Sequence, residues 1–251
     1  MAFSELSRPW RMRGDYNPRG GLLLCHGFTG APQSMRPWAE HHAAAGWEVS
    51  LPLLPGHATT WQEMTRTTRH DWYGEVRQAA LELLERHERI AVAGMSMGGT
   101  LSLALAQDPM IAPRLRALAL VNPAATVPRA AVLAPVLWPL VRSLPAIASD
   151  IAAPGQIEEA YERTPLRSVA QLRALTAQVR RALHRVRTPL LLATSPQDHV
   201  VDPRDSDLIA ARVGGAVERL RLPDSHHVAT LDHDAPRFFE ASLRFLEETP
   251  R

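Results

Sequence analysis

The sequence predicts an α/β fold with a mostly parallel central sheet flanked by helices. Short apolar runs alternate with longer amphipathic stretches, and several of the apolar runs end at glycine or proline turns. The alternation breaks at about residue 124 and resumes at about residue 188. We therefore expect a core formed by residues 1–123 and 188–251, with residues 124–187 inserted as a helical cap.

The individual elements follow from the period of the apolar residues. Strands are predicted at residues 21–25, 48–52, 89–93, 118–121, 189–194 and 217–222. Helices are predicted at residues 38–46, 71–87, 97–107, 205–213 and 235–247. No clear strand is predicted in the insertion, where residues 130–144 are apolar nearly all round and residues 168–184 are more amphipathic.

Composition excludes several classes of function. The chain has 251 residues, a net charge of +2 and no lysine, and its arginines form no basic run interleaved with aromatic residues, so a nucleic-acid partner is not expected. Cys25 is the sole cysteine, which rules out an intrachain disulfide. The first residues lack the apolar run of a signal peptide, and no stretch of 18 apolar residues occurs. We expect a cytoplasmic protein; the sequence gives no indication of its oligomeric state.

The strongest chemical motif is GMSMG at residues 94–98, between a predicted strand and a predicted helix. In a G-x-S-x-G turn the serine occupies a strained position that lifts its hydroxyl out of the sheet, and side chains at the two glycines would collide with neighbouring backbone. This pattern favours Ser96 as a nucleophile. The alternative is a glycine-rich helix start in which Ser96 acts only as the N-cap.

A serine nucleophile on such a turn needs an acid and then a histidine later in the chain. Asp198 follows the predicted strand at 189–194 and lies on the edge where parallel sheets place their sites. Three other aspartates follow more deeply in the loop or in the next helix: Asp202, Asp205 and Asp207. We prefer Asp198.

The base is expected in the loop after the last predicted strand, where two histidines are adjacent. His227 precedes an apolar stretch that would anchor it beside the core, whereas His226 fits a solvated loop position. We prefer His227, and His226 remains the alternative.

An oxyanion hole requires two backbone N–H groups aimed at the substrate oxygen. Met97, directly after the candidate nucleophile, supplies one, and Phe28 in the loop HGFTG (residues 26–30) supplies the other. A tight turn without ligand is the alternative for this loop. His26 is expected to hold the loop by hydrogen bonds, and Cys25 is expected to be a small core residue.

Neither a metal nor a cofactor is expected to take part in the chemistry. The chain has no H-E-x-x-H or H-x-x-H spacing, no phosphate-binding G-x-x-x-x-G-K-S/T loop and no G-x-G-x-x-G.

Taken together, five motifs resemble those of bacterial carboxylesterases and monoacylglycerol lipases of the α/β-hydrolase superfamily. They are HGFTG (26–30), LPGH (54–57), GMSMGG (94–99), SPQDHVV (195–201) and SHHVATLDHD (225–234). The resemblance implies the α/β-hydrolase fold, with a helical cap inserted after the sixth strand. It also implies Ser96, Asp198 and His227 as the triad, and Phe28 and Met97 as oxyanion donors.

The expected activity is hydrolysis of medium- to long-chain esters through an acyl-enzyme, with monoacylglycerols as the expected natural substrates. The apolar stretch at 130–144 would line an acyl pocket or contact a lipid surface, unless it is simply buried. Candidate pocket residues are His57, Leu137, Trp138, Val141 and Val200. Alternatives are a C–C hydrolase, an acyltransferase, a perhydrolase or a non-catalytic binding module on the same scaffold.

Overall fold

The computed structural model describes residues 3–13, 18–128, 134–138, 140–146 and 149–250. In chain order the strands are β1 (Trp10–Met12), β2 (Gly21–Cys25), β3 (Glu48–Leu51), β4 (Ile90–Met95), β5 (Leu115–Val121), β6 (Ser143–Pro145), β7 (Arg163–Pro165), β8 (Leu190–Thr194) and β9 (Val217–Arg221). The α-helices are α1 (Arg36–Ala44), α2 (Trp61–Met64), α3 (Arg69–Leu84), α4 (Met97–Leu105), α5 (Ala134–Leu137), α6 (Leu166–Arg181), α7 (Arg204–Arg212) and α8 (Ala235–Glu248).

Seven of these strands form the central sheet in the order β1-β3-β2-β4-β5-β8-β9. β1 is antiparallel to β3, and every other pair in this sheet is parallel. The predicted mostly parallel sheet flanked by helices is confirmed. Because the strands are parallel, the loops after β2, β4, β8 and β9 all leave from the same edge of the sheet.

Alternate residues of each strand enter two separate cores, as a side-chain period of two requires. Leu22 and Leu24 of β2 pack in the core that contains Trp38 of α1 and Phe238 of α8. Leu23, which lies between them on the strand, faces the opposite core, which contains side chains of α3, α4, α6 and α7. The central strands β2, β4, β5 and β8 are buried along their whole length. This gives the site a rigid base.

The segment between β5 and β8 differs from the expectation in two details. It follows the fifth strand rather than the expected sixth, since a single described strand precedes β2. It also contains a two-stranded antiparallel sheet, β6 with β7, where only helices were expected. Each of these strands has three residues and includes a proline, so neither is long enough to show an alternating pattern.

No helix in the described part of the chain is both long and apolar enough to cross a membrane.

Candidate active site

Ser96 lies on the sharp turn between β4 and α4. Its backbone has φ 55° and ψ −120°, a region that non-glycine residues rarely adopt, and its N–H donates to the carbonyl of Val121 at 3.1 Å. A Cβ atom on Gly94 would lie 2.5 Å from the carbonyl carbon of Gly98, and one on Gly98 would overlap the carbonyl oxygen of Cys25. The two glycines therefore allow the strand and the helix to approach closely enough to form this turn.

His227 and Asp198 form a close pair on the loops after β9 and β8. Nδ1 of His227 is 2.7 Å from Oδ2 of Asp198, and both side chains are almost completely buried. Oδ1 of Asp198 accepts the backbone N–H groups of Val200 and Val201, each at 2.8 Å. The carboxylate is therefore held from both sides, and one of its oxygens is directed at the imidazole.

Electrostatics favour the charged form of the His227 imidazole. Burial alone would lower its pKa, but the hydrogen bond and the charge of Asp198, together with the charges of Glu158 and Asp150, raise the pKa above its ordinary value. The group is thus suited to take up a proton near neutral pH.

Asn122, at the end of β5, joins the two loops that carry this pair. Its side-chain Oδ1 accepts the N–H of Ser195 at 2.8 Å, and its Nδ2 donates to the carbonyl of His227 at 2.8 Å. Its φ of 46° is also in the left-handed region. No sequence motif predicted a role for Asn122, because its only signal is a position at the carboxyl end of a strand.

The rival carboxylates have other partners. Asp202 accepts a backbone N–H at the start of α7. Asp205 accepts two backbone N–H groups from the start of the insertion, and Asp207 pairs with an arginine of β9. The rival histidine, His226, has its Nδ1 at 3.4 Å from Asp150.

The two expected oxyanion donors flank Ser96, since Met97 follows it in the chain and Phe28 lines the same cavity. Among the described residues, no group accepts a hydrogen bond from the backbone N–H of Phe28 or of Met97. Met97 is the first residue of α4, where the helix dipole favours negative charge.

His26 fixes the loop that carries Phe28. Its Nδ1 donates to the carbonyl of Gly27 at 3.0 Å, and its Nε2 accepts the N–H of Leu54 at 3.1 Å. Burial, with the neighbouring His57, lowers the pKa of His26 to about 3, so the ring is neutral and can donate from one nitrogen while accepting at the other.

Ser96 and His227 open into a cavity of about 430 Å³ that is lined mainly by apolar side chains. Leu137, Val141 and Val200, three of the candidate pocket residues, contribute to its wall. Further apolar lining comes from the insertion: Leu144, Leu166, Val169 and Leu172. Residues 130–133 and 139 of the predicted apolar stretch lie outside the described residues.

Two expected pocket residues do not line this cavity. His57 is fully buried behind it, with its ring centroid 5.1 Å from that of His26 and 5.9 Å from that of Trp72. Burial lowers the pKa of His57 to about 4. Trp138 faces outward and is 39% exposed, with the guanidinium of Arg167 5.4 Å from its ring. A helical turn of apolar residues does not reveal from sequence which members face inward.

The cavity also contains a carboxyl group that no motif indicated. Glu158 lines the wall with Ser96 and His227. Burial raises its pKa to about 7, partly offset by the charge of His227 and a hydrogen bond with Ser34. It belongs to a segment without regular structure, so neither period nor spacing pointed to it.

Comparison with known proteins identifies the family. The sequence model of the family described as serine aminopeptidase, S33 (Hydrolase_4) matches residues 16–234. The chain belongs to this family.

Two enzymes and one solved structure are similar to this Hydrolase_4 member over most of its length. It is 43% identical to a thermostable monoacylglycerol lipase of Bacillus sp. (strain H-257), over 90% of the chain and 89% of that protein. It is 26% identical to a carboxylesterase of Bacillus subtilis (strain 168), over 90% of the chain and 92% of that protein. A structure from work on the metagenome-derived lipolytic enzymes LipS and LipT superposes with a TM-score of 0.92 at 36% identity, covering 97% of this chain and 98% of that one. The family resemblance predicted from the motifs is confirmed.

Proposed function

We propose that the protein is a serine hydrolase that cleaves monoacylglycerols with medium- to long-chain acyl groups. The observation that carries this proposal is that a serine, a histidine paired with a carboxylate and an apolar cavity lie together. A serine on a strained turn and a carboxylate-bound histidine open into a cavity with mostly apolar walls. The 43% identity to a monoacylglycerol lipase supports the choice of substrate.

The proposed reaction is two-step acyl transfer. Ser96 attacks the ester carbonyl while Nε2 of His227 takes the hydroxyl proton, and Asp198 holds the imidazole in the required tautomer. The N–H groups of Phe28 and Met97 bind the oxyanion. His227 then protonates the leaving glycerol, and a water molecule that it deprotonates releases the fatty acid.

The distribution of polarity in the cavity fits an amphipathic substrate. The leucine and valine side chains of the insertion would surround an acyl chain, which gains free energy by leaving water. Glu158 and Thr29 supply polar groups in the same wall and would bond the glycerol hydroxyls.

We further propose that residues 124–187 act as a cap on a core formed by residues 1–123 and 188–251. The cap supplies much of the apolar cavity wall and also presents apolar side chains to solvent. Val136 is 72% exposed and Leu140 is 85% exposed. This surface would contact lipid, so that the protein associates peripherally with membranes from the cytoplasm.

The test of the hydrolase proposal is the rate of hydrolysis of 1-monoacylglycerols and of p-nitrophenyl esters from acetate to palmitate. Ser96→Ala removes the nucleophile, and losses of about 10⁶-fold are typical of such a change. The control is Ser102→Ala on the same helix, whose hydroxyl donates to the carbonyl of Gly98 and lies outside the cavity. Wild type and this control are expected to hydrolyse the long-chain substrates at similar rates.

Other outcomes would contradict the proposal in distinguishable ways. Hydrolysis of aminoacyl p-nitroanilides without ester hydrolysis would favour the peptidase activity in the family's description. Activity on carbon–carbon bonds, transfer to alcohols in preference to water, or peracid formation would indicate another chemistry of the same scaffold. An inert wild type that no fluorophosphonate labels at Ser96 would favour a binding protein.

A further inference from the structure

Three side chains outside the proposed triad meet where the insertion touches two loops of the core. Oδ1 of Asp150 lies 2.8 Å from Nδ1 of His199 and 3.4 Å from Nδ1 of His226. The two imidazole rings are perpendicular, with centroids 4.7 Å apart. One potential ligand atom from each of the three residues lies within 4.8 Å of the other two.

The carboxylate of Asp150 is held in place by backbone groups. Its Oδ2 accepts the N–H of His199 at 3.0 Å and the N–H of His227 at 3.1 Å. This leaves Oδ1 directed at the two imidazoles. A carboxylate oriented by hydrogen bonds from a second layer of groups is typical of metal ligands.

We propose that Asp150, His199 and His226 form a binding site for a Zn²⁺-class transition-metal ion. The donor set of two imidazoles and one carboxylate suits zinc, whose bonds to nitrogen and oxygen are about 2.0–2.1 Å. Tetrahedral bonds of that length separate neighbouring ligand atoms by about 3.3 Å. The observed separations of 2.8 and 3.4 Å bracket this value.

Binding requires only local adjustment. The side chain of His199 is 62% exposed, and a small outward movement of its ring would let the ion enter between its Nδ1 and the carboxylate. Each neutral imidazole binds through Nδ1 and keeps its proton on Nε2. Water fills the fourth position.

The ion would join three parts of the chain that the sequence separates. Asp150 belongs to the insertion, His199 to the loop after β8, and His226 to the loop after β9. No sequence motif links them, because the ligands come from three segments rather than from one spaced pattern. The site adjoins the proposed triad, because Asp150 lines the cavity and accepts the N–H of His227. The ion itself is expected to stabilise the attachment of the insertion.

The test is calorimetric titration of Zn²⁺ into protein that has first been treated with a chelator, together with thermal unfolding. Wild type is expected to bind one equivalent, and its Tm should rise by roughly 5 °C at a hundredfold excess of Zn²⁺ over the Kd. His199→Gln and His226→Gln should each weaken binding by at least about tenfold, since losing one of three ligands removes most of the chelation. His233→Gln is the matched control, because His233 is exposed in the same region and is not part of the cluster.

Two results would overturn the site. One is the absence of stoichiometric Zn²⁺ binding by wild type. The other is Zn²⁺ binding that persists unchanged in His199→Gln and His226→Gln, which would place the ion on other surface histidines. Circular dichroism of the metal-free variants shows whether they are folded, so that lost binding is not mistaken for unfolding.

Discussion

At the scale of single residues, the two carboxylate oxygens of Asp198 have different hydrogen-bond partners. Oδ1 is occupied by two backbone N–H groups, and Oδ2 faces the Nδ1 of His227. This geometry orients the ring and raises its pKa against the effect of burial. Because a general base must be neutral to accept a proton, activity should fall as the pH drops through that raised pKa.

Asp198→Asn should therefore change both the rate and the pH profile. An amide keeps the shape of the side chain but favours the wrong tautomer of the ring, so kcat should fall by about 10⁴-fold. Without the carboxylate charge, the lowering effect of burial dominates the pKa of His227, and the acidic limb of kcat/KM should move to lower pH. Measuring kcat/KM from pH 4 to 9 checks this.

Asp202→Asn is the control for that experiment. Asp202 was a rival for the same role, but its carboxylate accepts the backbone N–H of Arg204 at the start of α7. Its variant should keep the wild-type profile. A wild-type profile in Asp198→Asn instead would mean that another group orients His227.

Residues of the candidate site that lie in a sequence motif were predicted, and residues outside any motif were not. Ser96, Asp198 and His227 each follow a strand inside a recognisable pattern, and a parallel sheet brings such positions to one edge. Glu158 and Asp150 reach the same cavity from the irregular part of the insertion. Their positions depend on how that segment folds back over the core, which no local pattern encodes.

At the scale of elements, the turn between β4 and α4 depends on a glycine with no room for a side chain. Gly98→Ala would drive a Cβ into the backbone of β2, which cannot move without breaking the sheet. We expect a loss of about 3 kcal/mol in the free energy of unfolding, together with reduced activity. Urea unfolding monitored by circular dichroism measures the loss.

Gly74→Ala is the matched control, at a glycine position that has room for a side chain. Gly74 lies within α3 with nothing within 4 Å of its Cβ position. Alanine favours the helix, so this variant should gain about 0.5–1 kcal/mol. Equal effects of the two substitutions would show that close packing at Gly98 is not what requires glycine there.

The elements themselves were predictable where they are long and buried. The central strands consist almost entirely of apolar residues, and α3 begins with a capping box at Thr68 and Asp71. β1 has three residues and is partly exposed at the sheet edge, so its pattern carries no signal. Short strands depend on their partners rather than on their own sequence.

At the scale of the whole molecule, three carboxylates attach residues 124–187 to the rest of the chain. Asp205 in α7 accepts two N–H groups at the start of the segment. Asp232 accepts the N–H groups of Ala152 and Ala153, each at 2.8 Å. Asp150, within the segment, accepts N–H groups from the loops after β8 and β9. These polar contacts add to the apolar packing of α6 in the core that also contains α3 and α4.

Asp232→Asn should destabilise the protein and change its response to acid. The carboxylate accepts four backbone N–H groups, and an amide cannot accept all of them, so we expect a loss of about 3 kcal/mol at pH 7. Burial alone would raise the pKa of Asp232, but these four bonds hold it below its ordinary value of 3.8.

That stabilisation is complete above the ordinary pKa and is lost as the pH falls through the lowered one. The difference in stability between wild type and Asp232→Asn should therefore stay constant near neutral pH and narrow below about pH 4. Asp224→Asn, an exposed neighbour, is the control and should match wild type throughout. This prediction is tested by measuring the free energy of unfolding of wild type and both variants by urea titration at several pH values.

The outer surface of the insertion is predicted to bind membranes. Val136 and Leu140 are largely exposed, and burying both in a lipid interface would remove their apolar surface from water. The double variant Val136→Ser, Leu140→Ser should bind phosphatidylcholine vesicles about tenfold more weakly than wild type in a sedimentation assay. Met110 lies outside this segment and is 69% exposed, so Met110→Ser supplies the control and should bind as wild type does. If wild type and the two variants bind equally, or if none of them binds, the insertion is not the lipid-contacting surface. Its exposed side chains would then act only at the entrance to the cavity.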